Sequence, residues 1–127
     1  MDAPKRVLKV LYIEDEHFIS ELYVRALTRA GFDTKVVLDG VTGLKEAQSD
    51  NYDVILLDLM IPMITGMDVL RHLRDPGAKV LRAKVVIATN LDIGGESRVE
   101  LEKLADGYLI KAEITPKELV SYIQNMF

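Results

Sequence analysis

The chain has 127 residues, no cysteine and a formal net charge of −4. This length fits one domain spanning residues 1–127, and the lack of cysteine excludes disulfides and thiolate metal sites. The acidic balance, without a cluster of Lys and Arg, argues against direct nucleic-acid binding. The first apolar run, Val7–Ile13, is too short for a signal peptide or membrane helix. We therefore expect a cytoplasmic protein that has no membrane partner.

Hydrophobic residues alternate along the chain between short β-branched runs and helical spacing. The runs predict five buried strands: Val7–Ile13, Thr34–Val37, Val54–Leu57, Val85–Ala88 and Tyr108–Ile110. Continuous apolar strands that alternate with helices favour an α/β fold, in which a parallel sheet is covered by helices on both faces.

Apolar residues between and after the strands predict five amphipathic helices. The residues expected to face the core, from the first helix to the fifth, are Ile19, Leu22, Ala26, Leu27 and Ala30; Val41 and Leu44; Met67, Leu70 and Leu73; Leu101, Leu104 and Ala105; and Leu119, Val120, Ile123, Met126 and Phe127. Gly31 is suited to end the first helix. Thr115 and Glu118 have the spacing of a capping box at the start of the fifth.

Polar side chains follow the ends of four predicted strands. Glu14 and Asp15 follow the first strand, Asp58 the third, Thr89 the fourth and Lys111 the fifth. In a parallel α/β sheet, ligands bind at the carboxyl ends of the strands. The sequence therefore predicts that these residues share one site.

The acidic residues of this set indicate a metal site. If Asp15 and Asp58 approach to about 4–5 Å, their charges repel by roughly 3–4 kcal/mol at an effective dielectric of 20, and a cation relieves that repulsion. Oxygen ligands together with retained waters suit Mg²⁺ better than Ca²⁺. An acid near the start of the first helix could instead act as an N-cap, but the second acid on a neighbouring strand favours the metal.

The remaining residues suggest phosphoryl chemistry at Asp58. Pro62 and Gly66 shape the following loop, so that a backbone carbonyl can reach a metal beside the carboxylate. A phosphoryl group on Asp58 would be stabilised by the hydroxyl of Thr89 and the ammonium of Lys111. Taken singly, a threonine bonded to its own loop and a solvated lysine are the simpler interpretations. Their joint placement facing the acids favours the functional one.

Together, these residues resemble the receiver domain of two-component response regulators, the CheY-like family. The residues that carry the resemblance are Glu14, Asp15, Asp58, Pro62, Gly66, Thr89 and Lys111. The resemblance extends over Val7–Phe127 and implies a doubly wound, five-stranded parallel sheet in the flavodoxin-like order 2-1-3-4-5. It also implies Mg²⁺-dependent transfer of a phosphoryl group from a histidine kinase or a phosphotransfer protein.

The resemblance gives each site residue an expected role. Asp58 would be the phosphoacceptor, and Asp15, Asp58 and the carbonyl of Met60 would bind Mg²⁺ directly. Glu14 would act through metal-bound water. Lys111 would be the active-site lysine and Thr89 the switch hydroxyl.

The signal is expected to leave through an aromatic switch, Tyr108, although a tyrosine on a strand can also be a simple packing residue. The output surface would consist of the fourth helix, the fifth strand and the fifth helix, near Val99, Lys103 and Tyr122. A downstream protein would bind there. Such a domain is a signalling phosphoacceptor and not an enzyme, beyond self-catalysed phosphotransfer and autodephosphorylation.

Three positions depart from the usual family pattern. Ala112 follows the lysine where proline is common, and without proline a cis bond would cost about 3–4 kcal/mol, so we expect a trans bond or a looser loop. Thr65 replaces a common aspartate before Gly66. Asn90 replaces a smaller residue after Thr89 and is expected to crowd the phosphoryl group and slow its loss to water.

Other functions explain the pattern less well. A phosphatase of the haloacid dehalogenase type would need a second acid at position 60, which is Met60, and a flavin phosphate would be repelled by the acids after the first strand. A degenerate receiver that signals without phosphate stays open because of Asn90 and Ala112. No output domain is expected after the fifth helix, so the chain would act alone or be an excised domain.

Overall fold

The sheet is parallel and follows the predicted order. The computed structural model describes residues 7–127, which contain strands β1 (Lys9–Ile13), β2 (Asp33–Val37), β3 (Val54–Leu57), β4 (Lys84–Thr89) and β5 (Gly107–Ile110). They pair in the order β2-β1-β3-β4-β5, and each pair is parallel. The expected α/β class and strand order are therefore confirmed.

Helices cover both faces of this sheet. They are α1 (His17–Arg29), α2 (Gly40–Gln48), α3 (Gly66–Leu73), α4 (Gly95–Leu104) and α5 (Pro116–Gln124), with a short 3₁₀ turn at Lys111–Glu113. One hydrophobic cluster packs the sheet against α2, α3 and α4, and a second packs it against α1 and α5. No helix among residues 7–127 is long and apolar enough to cross a membrane.

The central strands are apolar throughout because both of their faces are buried. On β1, Leu11 and Ile13 belong to the cluster under α2–α4, whereas Val10 and Tyr12 belong to the cluster under α1 and α5. Successive side chains of a strand point to opposite faces. A doubly covered strand therefore shows a continuous apolar run and not an alternating one.

The predicted buried face of α1 is partly wrong. Leu22 is 45% exposed and Ala30 lies beyond the last helical residue, whereas Tyr23 is buried. The helix turns Tyr23 inward because its ring packs in the second cluster while its hydroxyl reaches backbone carbonyls. Gly31 follows the helix with a φ of 94°, as expected for a glycine that ends it.

Similar corrections apply to α2 and α5. Val41 is 47% exposed, because the buried face of α2 consists of Gly40, Gly43 and Ala47. A Cβ at Gly43 would overlap the side chain of Ile13, so the small residue lets the helix approach the sheet closely. Phe127 is 55% exposed, since α5 ends at Gln124.

Strand register brings several loop residues to one edge of the sheet. Ile13 pairs with Leu57, and Thr89 pairs with Ile110. The residues that follow these strands therefore leave the sheet at a common carboxyl edge. This is the edge where ligands bind in doubly wound sheets.

Candidate functional site

Four of the predicted polar residues meet at the carboxyl edge and are buried there. Glu14 follows β1, Asp58 follows β3, Thr89 ends β4 and Lys111 follows β5. None of the four is more than 8% exposed. Buried charged groups need partners, and this cluster supplies them.

Lys111 joins the two buried acids. Its Nζ lies 2.7 Å from Asp58 Oδ2 and 2.9 Å from both carboxylate oxygens of Glu14. The other oxygen of Asp58, Oδ1, accepts a hydrogen bond of 3.0 Å from the backbone N–H of Met60. The Asp58 carboxylate is therefore held in one orientation by a cation on one oxygen and an amide on the other.

The pKa values of the two buried acids shift in opposite directions. The pKa of Glu14 is raised to about 8, because burial and the neighbouring Asp58 raise it by more than Lys111 lowers it. Burial would also raise the pKa of Asp58, but interactions with Glu14, Lys111, the Met60 amide and Thr89 outweigh it and lower the pKa. One positive charge does not neutralise both carboxylates, so this arrangement favours the binding of a further cation.

Asp15 lies at the mouth of the same site. It is exposed, and together with Glu14, Asp58, Met60 and Lys111 it lines a cavity of about 300 Å³. Glu16, Ile19 and Asn90 complete the lining.

The donor set around this cavity fits Mg²⁺. Among residues 7–127, no three acidic or histidine side chains are already gathered as a metal cluster. Two buried carboxylates, Glu14 and Asp58, and two exposed ones, Asp15 and Glu16, nevertheless adjoin a cavity that has room for waters. Mg²⁺ is usually bound by one or two carboxylates and keeps several waters. Asp15 and Asp58, with the Met60 backbone, are the groups that could hold it, and Glu14 is close enough to act through a water.

The loop after Asp58 is fixed by close backbone approach. A Cβ at Gly66 would overlap the carbonyl oxygen of Asp58, and the N–H of Gly66 donates to the carbonyl of Leu59 at 3.1 Å. Thr65, which departs from the family pattern, caps α3 by accepting a 3.1 Å hydrogen bond from the N–H of Asp68. The substitution thus retains the capping function that an aspartate would also serve.

Thr89 and Tyr108 are joined through one residue of the loop after β4. The Oγ1 atom of Thr89 accepts a 3.1 Å hydrogen bond from the N–H of Leu91, and the hydroxyl of Tyr108 donates to the carbonyl of Leu91 at 2.9 Å. The guanidinium of Arg98 also lies 4.2 Å from the centroid of the Tyr108 ring. Tyr108 is half-buried and held on its outer side by α4.

The predicted output surface is exposed in part. Val99 is 53% exposed, Lys103 is exposed and Tyr122 is half-buried. A Cβ at Gly107 would overlap the hydroxyl of Tyr122, so glycine at the start of β5 lets α5 pack closely there. Val99 and Lys103 belong to α4, Gly107 to β5 and Tyr122 to α5.

The loop that carries Lys111 contains two contacts that sequence analysis missed. Every peptide bond among residues 7–127 is trans, including the one between Lys111 and Ala112. The N–H of Ala112 donates a 2.8 Å hydrogen bond to Oδ1 of Asn90, and the hydroxyl of Tyr23 lies 3.2 Å from the carbonyl of Lys111. The simultaneous departures at positions 90 and 112 were the available signal for the first contact. No pattern in the sequence around Tyr23 indicated its contact with the carbonyl of Lys111.

Comparison with known proteins agrees with this geometry. Residues 10–124 match the model of the response regulator receiver domain family. The transcriptional activator protein IrlR of Burkholderia pseudomallei strain 1026b is 38% identical over 104 residues, which are 82% of this chain and 44% of that protein. The receiver domain of the Francisella response regulator 1452 is 31% identical, covers 94% of this chain and 95% of its own, and has a TM-score of 0.80.

A third match shows the fold alone. The receiver domain of the sensor histidine kinase PA1611 from Pseudomonas aeruginosa PAO1, solved with a magnesium ion in its active-site cleft, has 23% identity and a TM-score of 0.79. It covers 94% of this chain and 97% of its own.

The chain belongs to the response regulator receiver domain family, a family of two-component signalling domains that act as phosphoacceptors. It spans about half the length of the curated relatives that it matches.

Proposed function

We propose that Asp58 is the phosphoacceptor of this receiver domain and that its partner is the phosphohistidine of a histidine kinase or phosphotransfer protein. The observation that carries the proposal is the fixed orientation of the Asp58 carboxylate, which has Lys111 at one oxygen and the Met60 amide at the other. A nucleophile held in this way loses little freedom on reaching the transition state.

The reaction is an in-line displacement at phosphorus. An oxygen of Asp58 forms the new O–P bond while the P–N bond to the donor imidazole breaks, and the imidazole takes up a proton as it leaves. Asp15, Asp58 and the Met60 carbonyl would hold Mg²⁺, with Glu14 acting through water, and the bound ion would supply positive charge beside the transferred group. The lowered pKa of Asp58, to which Lys111 contributes against the effect of burial, keeps the carboxylate ionised and ready to attack.

Lys111 and Thr89 then bind the product. The ammonium of Lys111 exchanges its contact with Asp58 for one with a phosphoryl oxygen, and the Thr89 hydroxyl donates to another. Both side chains are already buried beside Asp58, so neither has to cross solvent. Water attack on the acyl phosphate later restores the carboxylate, which is the autodephosphorylation expected of a receiver.

Output is proposed to follow from the contacts of Leu91. When Thr89 turns towards the phosphoryl group, it weakens its hold on the N–H of Leu91, whose carbonyl holds the hydroxyl of Tyr108. Tyr108 then turns inward and changes the surface of α4, β5 and α5, where a downstream protein binds. The phosphate drives this population shift only because it binds the rearranged state better.

The test is incubation with acetyl phosphate, with and without Mg²⁺, followed by intact mass measurement. We expect one phosphoryl adduct on the wild type, dependent on Mg²⁺, and none on Asp58→Asn. Asp53→Asn is a control that removes a buried acid at the other end of β3. A wild type that never carries an adduct would favour a receiver that signals without phosphate.

A further inference from the structure

The peptide unit between Lys111 and Ala112 is held from two directions by side chains of other elements. Its carbonyl lies 3.2 Å from the hydroxyl of Tyr23, on α1, and its N–H donates a 2.8 Å hydrogen bond to Oδ1 of Asn90, just beyond β4. The carbonyl and the N–H of a trans peptide point in opposite directions. The two contacts together therefore fix the plane of this peptide.

The side chain of Lys111 begins next to that peptide and ends between two buried acids. Its Nζ reaches Glu14 and Asp58 at 2.7–2.9 Å. A lysine side chain has four rotatable bonds, so the position of its ammonium depends on how firmly its backbone is placed. The residue that follows, Ala112, is exposed.

Asn90 is well placed to supply this constraint. It immediately follows the buried Thr89, so its backbone is anchored by β4, yet its own side chain is exposed. Its hydrogen bond to Ala112 joins two chain segments 22 residues apart, and both of them border the cavity beside Asp58. The bond crosses from the end of β4 to the loop after β5.

We infer that Asn90 is a positioning residue for phosphoryl transfer to Asp58. Its amide oxygen holds the N–H of Ala112 and so places the ammonium of Lys111 for the incoming phosphoryl group. The inference rests on the proposed function of Asp58 and adds a residue that acts through Lys111 without touching the reacting atoms. This role differs from steric crowding of the phosphoryl group by Asn90. Positioning of Lys111 depends on the amide oxygen of Asn90, whereas crowding depends on the size of its side chain.

Two substitutions separate the oxygen from the bulk. Asn90→Leu keeps a side chain of similar size but removes the acceptor, and Asn90→Ala removes both. Because Asn90 is exposed, both variants should fold, which their thermal unfolding checks. Hydrogen exchange at the amide of Ala112, followed by NMR, reports directly whether the hydrogen bond is lost.

We expect both variants to exchange the Ala112 amide faster and to be phosphorylated by acetyl phosphate and Mg²⁺ about three- to tenfold more slowly than the wild type, the loss typical of one hydrogen bond. In a Lys111→Ala background, Asn90→Leu should cause no further slowing, since its effect passes through the lysine. Such non-additivity is the signature of coupled residues.

Three results would overturn the inference. The first is an Asn90→Leu variant that loses protection at Ala112 but is phosphorylated at the wild-type rate. The second is an unchanged Ala112 amide in both variants, and the third is the same fold-loss with and without Lys111. By contrast, a wild type that is not phosphorylated at Asp58 would overturn the proposed function itself, and the role of Asn90 with it.

Discussion

A single ammonium group faces two buried carboxylates at the centre of this site. Lys111 contacts Glu14 and Asp58 together, and the pKa of Glu14 is raised to about 8 by burial and by the neighbouring Asp58. The two carboxylates of Glu14 and Asp58 therefore carry more negative charge than Lys111 neutralises. A further carboxylate, Asp15, lies at the exposed mouth of the same cavity. At the scale of residues, this imbalance is the physical reason why a divalent cation should bind here.

The imbalance predicts different Mg²⁺ affinities for two variants. Asp15→Asn removes a charged direct ligand and should weaken binding severely, by more than tenfold. Glu14→Gln should cost less, about tenfold, at the lower end of the range for outer-shell substitutions, because its contact is through water. Isothermal titration with MgCl₂ measures both, and Asp33→Asn, an exposed acid at the opposite edge of the sheet, is the matched control. Affinities unchanged in both site variants would mean that the metal lies elsewhere.

At the scale of elements, the path from β3 to α3 determines where Asp58 sits. The loop is closed by backbone contacts of Gly66 with Asp58 and Leu59, and α3 begins at Gly66 with Thr65 as its cap. The packing of the helix and the position of the acceptor carboxylate therefore depend on each other.

Gly66→Ala tests this dependence. The added Cβ would overlap the backbone of Asp58 and Leu59, neither of which can rotate away, so we expect a loss of about 2–3 kcal/mol in the free energy of unfolding. The rate of phosphorylation should fall with it, as Asp58 is displaced. Gly94→Ala is the control, since a Cβ there meets nothing within 4 Å and its cost should stay near 0.5 kcal/mol. Urea denaturation measures the free energy of unfolding of both variants. An equal loss in Gly66→Ala and Gly94→Ala would contradict this account of the loop.

At the scale of the whole molecule, the site and the proposed output surface lie on different elements, and hydrogen bonds of Leu91 connect Thr89 with Tyr108. Its N–H is bonded to Thr89 and its carbonyl to Tyr108, whose ring lies under Arg98 of α4. These contacts give a change at the carboxyl edge of the sheet a route to α4 and β5.

Thr89→Ala should separate phosphorylation from output. The variant still has Asp58 and Lys111, so it should bind beryllium fluoride, a phosphoryl mimic, in the presence of Mg²⁺. Amide shifts in the wild type should extend over residues 99–122, whereas those of the variant should stay near Asp58. Thr89→Ser retains the hydroxyl and should restore the wide pattern. The same shifts in all three proteins would rule out Thr89 as the coupling group.

Much of this architecture could be predicted because it follows from local patterns. Apolar runs predicted strands within two residues of those observed, and the rule for strand ends correctly predicted that Glu14, Asp58, Thr89 and Lys111 lie together. The buried face of α2 was missed because glycines, not Val41, allow the close approach to the sheet. The departures at positions 90 and 112 marked both residues, but the bond between Asn90 and Ala112 could not be predicted from them, since it depends on the relative placement of two loops.

The most direct test of the central claim is to locate the phosphoryl group in the chain. Borohydride reduces an aspartyl phosphate to homoserine, which peptide mapping identifies by mass. After treatment with acetyl phosphate and Mg²⁺, we predict homoserine at position 58 of the wild type and none in Asp58→Asn. Homoserine at Asp15, or a phosphoryl group on a hydroxyl or imidazole side chain with position 58 unmodified, would contradict the account.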